Sequence, residues 1–331
     1  NLINSGHEDT SDVHAINDML SEVEFGGAKV FKHNWFDVGN TTELSRTKSY
    51  LKSSIHVLDK VDESIFFFDD FVIKFFSDST VNLNRVSRAH ILGELAPKMM
   101  NSTRNFYKYE KVVGNLFSKS VNAQSFKKFL DWANTNLWVR SQNDNFKEKC
   151  VDFYINKTKK RIEQYLKNNP EHNIINGQQL KTAYELINDL DVDWLCDGLP
   201  SQFHGDFILD NIIETEDGFK LIDWRQDFAG GLFDGDLYYD LAKLNHNLTI
   251  NHDIVNKNSF NSSADDCYIL VNSKLKECEA ILHQFIIDNG LDLKKVKTLT
   301  AIIWINMAPL HEYPFNNFLF NFGKYNLNNI K

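Results

Sequence analysis

The chain has 331 residues, 42% of them hydrophobic and 24% charged, with a formal net charge of -9. That is enough apolar material for a substantial core and more length than one small domain needs, so two lobes or domains are expected. With 45 acidic against 36 basic residues and no block of Lys and Arg, the sequence lacks the basic stripe with which nucleic-acid binders displace counterions.

Cys150, Cys196, Cys267 and Cys278 are scattered, with no Cys-x-x-Cys pair, and read as buried free thiols in a reducing compartment. No stretch approaches the roughly 18 uninterrupted apolar residues of a membrane span, and NLINSGHEDTSDVH lacks the basic and apolar regions of a signal peptide. A cytoplasmic protein with no membrane partner is expected.

In chain order, SDVHAINDMLSEVEF reads as a helix with Val13, Ile16, Met19, Leu20 and Val23 on one face, stopped by Gly26-Gly27. The stretch HNWFDVGNTTELSRTKSYLKSS predicts a short strand and turn, then a helix from about Thr41. Its Trp35-x-Asp37-x-Gly39 turn before a helix resembles the tail of sugar-phosphate nucleotidyltransferases. That resemblance implies a covalently linked nucleotidyltransferase domain as a partner. Three β-rich runs follow, SSIHVL, SIFFFDD and FVIKFF, then a helix up to Pro97 and a strand in NFYKYEKVVG.

Beyond Gly114 the pattern is mostly helical: 125–138, 147–169, 178–190, 234–248, 263–289 and 299–322, with a strand-rich window near 201–228. The expected organisation is a helical segment over 1–53, a small β lobe over 54–113 and a larger helical lobe over 114–331. The fold class is α+β and bilobal.

The strand-rich window, SQFHGDFILDNIIETEDGFKLIDWRQDF, carries the chemistry. A turn at Asp217-Gly218 pairs two strands and brings Asn211, before the first, near Asp223, after the second. An amide oxygen and a carboxylate are hard ligands of the kind Mg²⁺ takes when nucleotide phosphates complete its shell. Asp206, on the preceding loop, is placed to accept a proton from a hydroxyl. His204-Gly205-Asp206 with Asn211, followed by Leu221-Ile222-Asp223-Trp224, resembles the signature of the aminoglycoside phosphotransferase and choline kinase group of the kinase-like superfamily. YYDLAKL, with Asp240, resembles the Asp-Leu-Ala element that follows it there.

The resemblance implies a protein-kinase-like fold and ATP with Mg²⁺ as cofactors. In it Asp206 is the catalytic base, His204 braces the loop, and Asn211 and Asp223 are the metal ligands. It also implies that Lys74 in FVIKFF meets the phosphates and that the backbone of Tyr109, Glu110 and Lys111 receives the adenine. From the residues alone, Lys74 could equally snorkel at a sheet edge. Two departures stand out: DKVDE, between the first two β runs, has no glycine to cover phosphates, and the helix after Lys74 offers Asn82, Asn84, Arg85 and Arg88 before it reaches Glu94, the candidate to pair with that lysine.

The acceptor is expected to be a small-molecule alcohol, first a sugar or polyol of bacterial surface polysaccharide synthesis and second choline or ethanolamine. Tyr154, Lys157, Arg161 and Arg225 could bind an anionic acceptor or line a solvated helix face. Trp132, Trp138, Trp304, Tyr313 and Phe315 could cage a quaternary ammonium or simply pack. The alternative from another class is a nucleotide-binding scaffold without turnover.

Overall fold

The structure is a computed structural model that describes residues 62–263 and 266–330. The features expected before residue 62, including the nucleotidyltransferase-like turn and the SSIHVL strand, lie outside the described residues.

Among the described residues the small lobe is an antiparallel sheet of β1 (Glu63–Phe67), β2 (Phe71–Phe76), β3 (Met99–Ser102) and β4 (Phe106–Glu110), ordered β1-β2-β4-β3. In β2 the alternation of the pleat buries Val72, Lys74 and Phe76 on one face, where Val72 and Phe76 pack with Tyr107 and Tyr109 of β4. Lys74 therefore sits mid-strand between β1 and β4, opposite Ile65 and Tyr107, and not at an edge. Helix α1 (Ser79–Leu92) starts where the Asp78 carboxylate accepts the Thr80 amide at 2.7 Å. It stops at Gly93, which adopts φ 56. Its inward face carries Asn82, Arg85 and Arg88 as well as Ala89 and Leu92.

The larger lobe is built around α4 (Leu237–Thr249), α5 (Ser273–Asp288), α6 (Leu293–Met307) and α7 (Phe315–Asn329), with α2 (Ala123–Asn136) and α3 (Lys157–Leu166) packed around them. Every residue of α4 except Lys243 is buried, which marks it as the central helix of the lobe. β5 (Asn115–Leu116) joins the hairpin of β6 (Ile212–Thr215) and β7 (Gly218–Leu221), with Ile212 opposite Leu221. A small sheet lobe followed by a larger, mostly helical lobe is the α+β bilobal class expected.

Three expected helices are corrected. Residues 263–289 do not form one helix: Cys267–Ile269, rich in β-favouring side chains, pairs with Phe260–Ser262, and α5 begins only where Asn272 caps Lys274. The helix expected at 178–190 is confined to Ala183–Asn188, because Thr182 and Glu185 form a capping box that fixes its start. The run 299–322 breaks at a turn over Ala308–Leu310 containing Pro309 and resumes as α7. No helix among the described residues is long and apolar enough to cross a membrane.

Candidate active site

The catalytic-loop candidate, 203–211, is held from three sides. From below, the buried Asp240 of α4 accepts the amides of His204 and Gly205, both at 2.7 Å, and the Trp138 indole at 3.2 Å. A carboxylate taking several N–H donors fixes a loop's backbone far better than packing alone. From within, the His204 Nδ1 accepts the Asp206 amide at 3.1 Å, which leaves Nε2–H to donate to the Ile222 carbonyl at 2.9 Å. Burial pulls the His204 pKa down to about 4, so the ring is neutral and bridges the loop to the end of the hairpin. From the small lobe, Arg88 is wholly buried; it donates to the carbonyls of Phe203, Leu232 (3.1 Å) and Arg225 (3.3 Å) and lies over the Phe203 ring.

Gly205 holds the turn at φ +85. A Cβ there would come within 2.5 Å of the Arg225 Cβ and 2.9 Å of the Phe203 ring, so the sequence needs glycine both for its conformation and for space.

Asp206 projects from this loop with its side chain 40% exposed. The Asn211 amide donates to its carbonyl at 2.9 Å and to its carboxylate at 3.2 Å, and Lys243 of α4 pairs with it at 2.7 Å. Burial acts to raise the Asp206 pKa, but the Lys243 charge and hydrogen bond outweigh it and hold the group at about 2. The carboxylate is thus ionised and aimed. The amide of Ile222 donates to the Asn211 carbonyl at 2.9 Å, so Asn211 and Asp223 flank the open end of the hairpin.

Asp223 has φ 58, an uncommon conformation for a residue with a side chain, and its Oδ1 takes both Lys74 and Arg85 at 2.6 Å. Burial, opposed by Asp223 and reinforced by Arg85, lowers the Lys74 pKa below the ordinary lysine value. The structure thus brings Lys74 to Asp223 and Asn211 to Asp206. The expected pairing of Lys74 with Glu94 is not formed: Glu94 lies on the exposed turn Gly93–Leu95 and its nearest cation is Lys220, at 3.9 Å. The place on α1 that faces Lys74 and Asp223 is taken by a cation, Arg85.

Tyr109 is buried in the small-lobe core, while Glu110 and Lys111 are exposed at the end of β4. The Glu110 amide donates to Lys98 O at 3.0 Å and the Lys111 amide to Asp70 O at 2.9 Å, so a base docking at this edge finds those two donors already engaged. The five aromatics considered as a cage do not converge. Trp138 is bonded to Asp240, Trp132 packs on Phe129 and Phe219, Trp304 donates to His246, Phe315 packs on Phe260 and His311, and Tyr313 is 76% exposed.

Sequence reasoning missed Arg85, Arg88 and Lys243 as site residues. The first two fall three apart on one helix face with Asn82, a polar stripe where an apolar one belongs. Lys243 is the sole residue of α4 that is not buried and sits three after Asp240.

No family model matches the chain, and no curated protein matches it in sequence. Its structure is similar to that of the ethanolamine kinase of Plasmodium vivax, at 14% identity, 97% and 94% coverage of this chain and that one, and a TM-score of 0.43. It is also similar to a choline/ethanolamine kinase family protein of Mesorhizobium loti (14% identity, 86% and 94% coverage, TM-score 0.41). A third likeness is to an ADP-bound aminoglycoside phosphotransferase (12% identity, 85% and 97% coverage, TM-score 0.47). At such identities the chemistry rests on this chain's own residues.

Proposed function

We propose that the chain is an ATP-dependent small-molecule kinase of protein-kinase-like fold, transferring the γ-phosphoryl group to an alcohol hydroxyl. The first-choice acceptor is a sugar or polyol used in bacterial surface polysaccharide synthesis. The observation that carries the reading is the convergence of a buried Lys74 on Asp223, 149 positions along the chain, beside Asn211 bonded to a half-exposed, ionised Asp206.

Among the described residues no group of three or more His, Cys, Asp or Glu is arranged to hold a metal ion. An amide oxygen and one carboxylate suit an ion that nucleotide oxygens help to bind, so Asn211 and Asp223 fit Mg²⁺ in the presence of ATP. Bound there, Mg²⁺ would neutralise charge on the phosphates. Lys74 and Arg85, two buried cations on one carboxylate, would turn toward the phosphates and take over part of the cover that glycine-rich backbone gives elsewhere. The adenine would lie by Tyr109, Glu110 and Lys111, where the amides of Glu110 and Lys111 would have to leave Lys98 and Asp70 to meet it.

Asp206, fixed by Lys243 and Asn211, orients the acceptor hydroxyl. The acceptor oxygen bonds to the γ-phosphorus, the bond from that phosphorus to the β–γ bridging oxygen breaks, ADP leaves, and the hydroxyl proton passes to the Asp206 carboxylate. A base with so low a pKa is a weak one, so positioning contributes more than proton abstraction. The nucleotidyltransferase-like sequence Trp35-x-Asp37-x-Gly39 supports a linked step that activates the phosphorylated product as a nucleotide conjugate.

A second reading, a nucleotide-binding scaffold without turnover, is favoured by Arg85 standing where a glutamate would release Lys74 from Asp223. The two are separated by measuring ADP release with ATP and Mg²⁺ over a library of sugars, polyols and amino alcohols. The kinase predicts release that needs both an acceptor and the divalent ion; ADP release with no member of the library supports the scaffold.

A further inference from the structure

Beside Asp206 the helical lobe gathers cations that the reaction as described does not use. The helix that begins at Phe146 passes through a π-helical stretch, Val151–Asn156, before continuing as α3. Such a stretch adds a residue to the turn and re-aims the side chains around it, and it is common at functional sites. Here it sets Phe153 under two cations. Lys157 Nζ lies 3.9 Å and Arg225 Cζ 4.9 Å from the centre of that one ring.

Arg161 follows Lys157 by four residues on the same helix face. The Arg225 amide donates to the His204 carbonyl at 2.9 Å, which places that residue against the catalytic loop. Lys243, bonded to Asp206, is electrostatically felt by Lys157, so the group extends to the hydroxyl-orienting carboxylate itself.

Lys157, Arg161 and Arg225 are each half-buried. None has a carboxylate ion-pair partner among the described residues. Arg161 donates to Gln164 and Arg225 to the Asp227 carbonyl, both neutral acceptors. A solvated helix face would expose such side chains or pair them. Partial desolvation of three mutually repelling cations is unfavourable unless an anion enters. Burial, with Arg225, Arg161 and Lys243 nearby and only partly opposed by the Asp227 carboxylate, already draws the Lys157 pKa down to about 7.

We propose that Lys157, Arg161 and Arg225 form an anion subsite that holds the phosphate of a phosphorylated polyol or sugar while its free hydroxyl is presented to Asp206. Lys243 is neutralised by Asp206, so three cations remain against the Asp227 carboxylate that Lys157 also feels, an excess suited to a phosphate dianion, and the two guanidinium forks match its oxygens in a way a single carboxylate would not exploit. The acceptor is then a hydroxyl-bearing phosphomonoester, supplied either by a phosphorylation or by a reaction on a compound that already carries the phosphate. This inference rests on the kinase reading for the fate of the hydroxyl, but not for the binding of the phosphate.

The test is a calorimetric titration of the whole chain with glycerol phosphate and, separately, with glycerol. Glycerol phosphate is expected to bind at least about tenfold more tightly, a gap that a few charge-assisted hydrogen bonds readily supply. Lys157→Gln and Arg161→Gln, singly and together, are expected to remove that advantage. Lys160→Gln, at an exposed lysine of the same helix, is expected to keep it, with circular dichroism confirming that all variants are folded.

Equal affinity for the two ligands, an equal loss in Lys160→Gln, or displacement of glycerol phosphate by ADP would overturn the subsite. The readout needs no turnover. Specific binding without ADP release from any acceptor would refute the kinase and leave the subsite, whereas release with neutral alcohols and no glycerol phosphate binding would refute the subsite alone.

Discussion

Asp206 touches both Lys243 and Asn211, and under the proposed kinase reading its half-exposed carboxylate is the group that meets the acceptor hydroxyl. Replacing it with asparagine keeps the shape and a hydrogen-bond acceptor but removes the charge, and Lys243 is left with a neutral neighbour. We expect Asp206→Asn to lower kcat by about 10²- to 10⁴-fold while leaving ATP affinity and the folded state nearly intact. Steady-state kinetics beside a nucleotide-binding titration check this. A variant with full activity, or one that loses nucleotide binding in step with turnover, contradicts the assigned role. Asp223 is a different case, because it is the shared partner of Lys74 and Arg85, and its loss would set two buried cations free to repel each other.

At the scale of elements, the loop 203–211 and the hairpin that follows it act as one unit, pinned by Asp240, by neutral His204 and by the close approach of Gly205 to Arg225. Gly205→Ala forces a side chain into φ +85 and against backbone-anchored neighbours. It should cost on the order of 3 kcal/mol and abolish turnover, read as a lowered thermal midpoint together with lost activity. A stable, active alanine variant would show that the turn is not held as described.

The sequence made this unit legible. The hairpin spacing of Asn211 and Asp223 let the two lie side by side, and Asp206 stood on the loop before them, but an apolar FVIKFF left the face of Lys74 open until the strand was seen packed on both sides. The sequence did not reveal Arg85, because a guanidinium facing Lys74 is understood only once Asp223 is seen between them, across 138 positions of chain. Nor did it show the break before α5, where side chains that suit either a strand or a helix were resolved by pairing with Phe260–Ser262.

At the scale of the whole described molecule, the two lobes are joined through α1, by a backbone carbonyl as well as by polar side chains. Trp224 donates to the Arg85 carbonyl at 2.8 Å, and Arg88 spans three carbonyls around the catalytic loop. Removing Arg88 leaves those carbonyls without their donor in a buried place. Arg88→Leu should therefore destabilise the fold by at least about 3 kcal/mol, measured by denaturant unfolding. It should also weaken ATP binding, because Lys74 and Asp223 come from the two sides that Arg88 holds together. A variant of unchanged stability would mean that the lobes are held by packing alone.

The central claim is that a phosphoryl group passes from ATP to an acceptor hydroxyl beside Asp206. The most direct measurement is phosphorus NMR of a reaction containing ATP, Mg²⁺, the purified chain and an acceptor that elicits ADP release. The account predicts a new phosphomonoester resonance growing in equal amount with ADP, and neither signal with Asp206→Asn over the same time. ADP accompanied only by inorganic phosphate, or the same phosphomonoester at an undiminished rate from the Asp206→Asn chain, would contradict it.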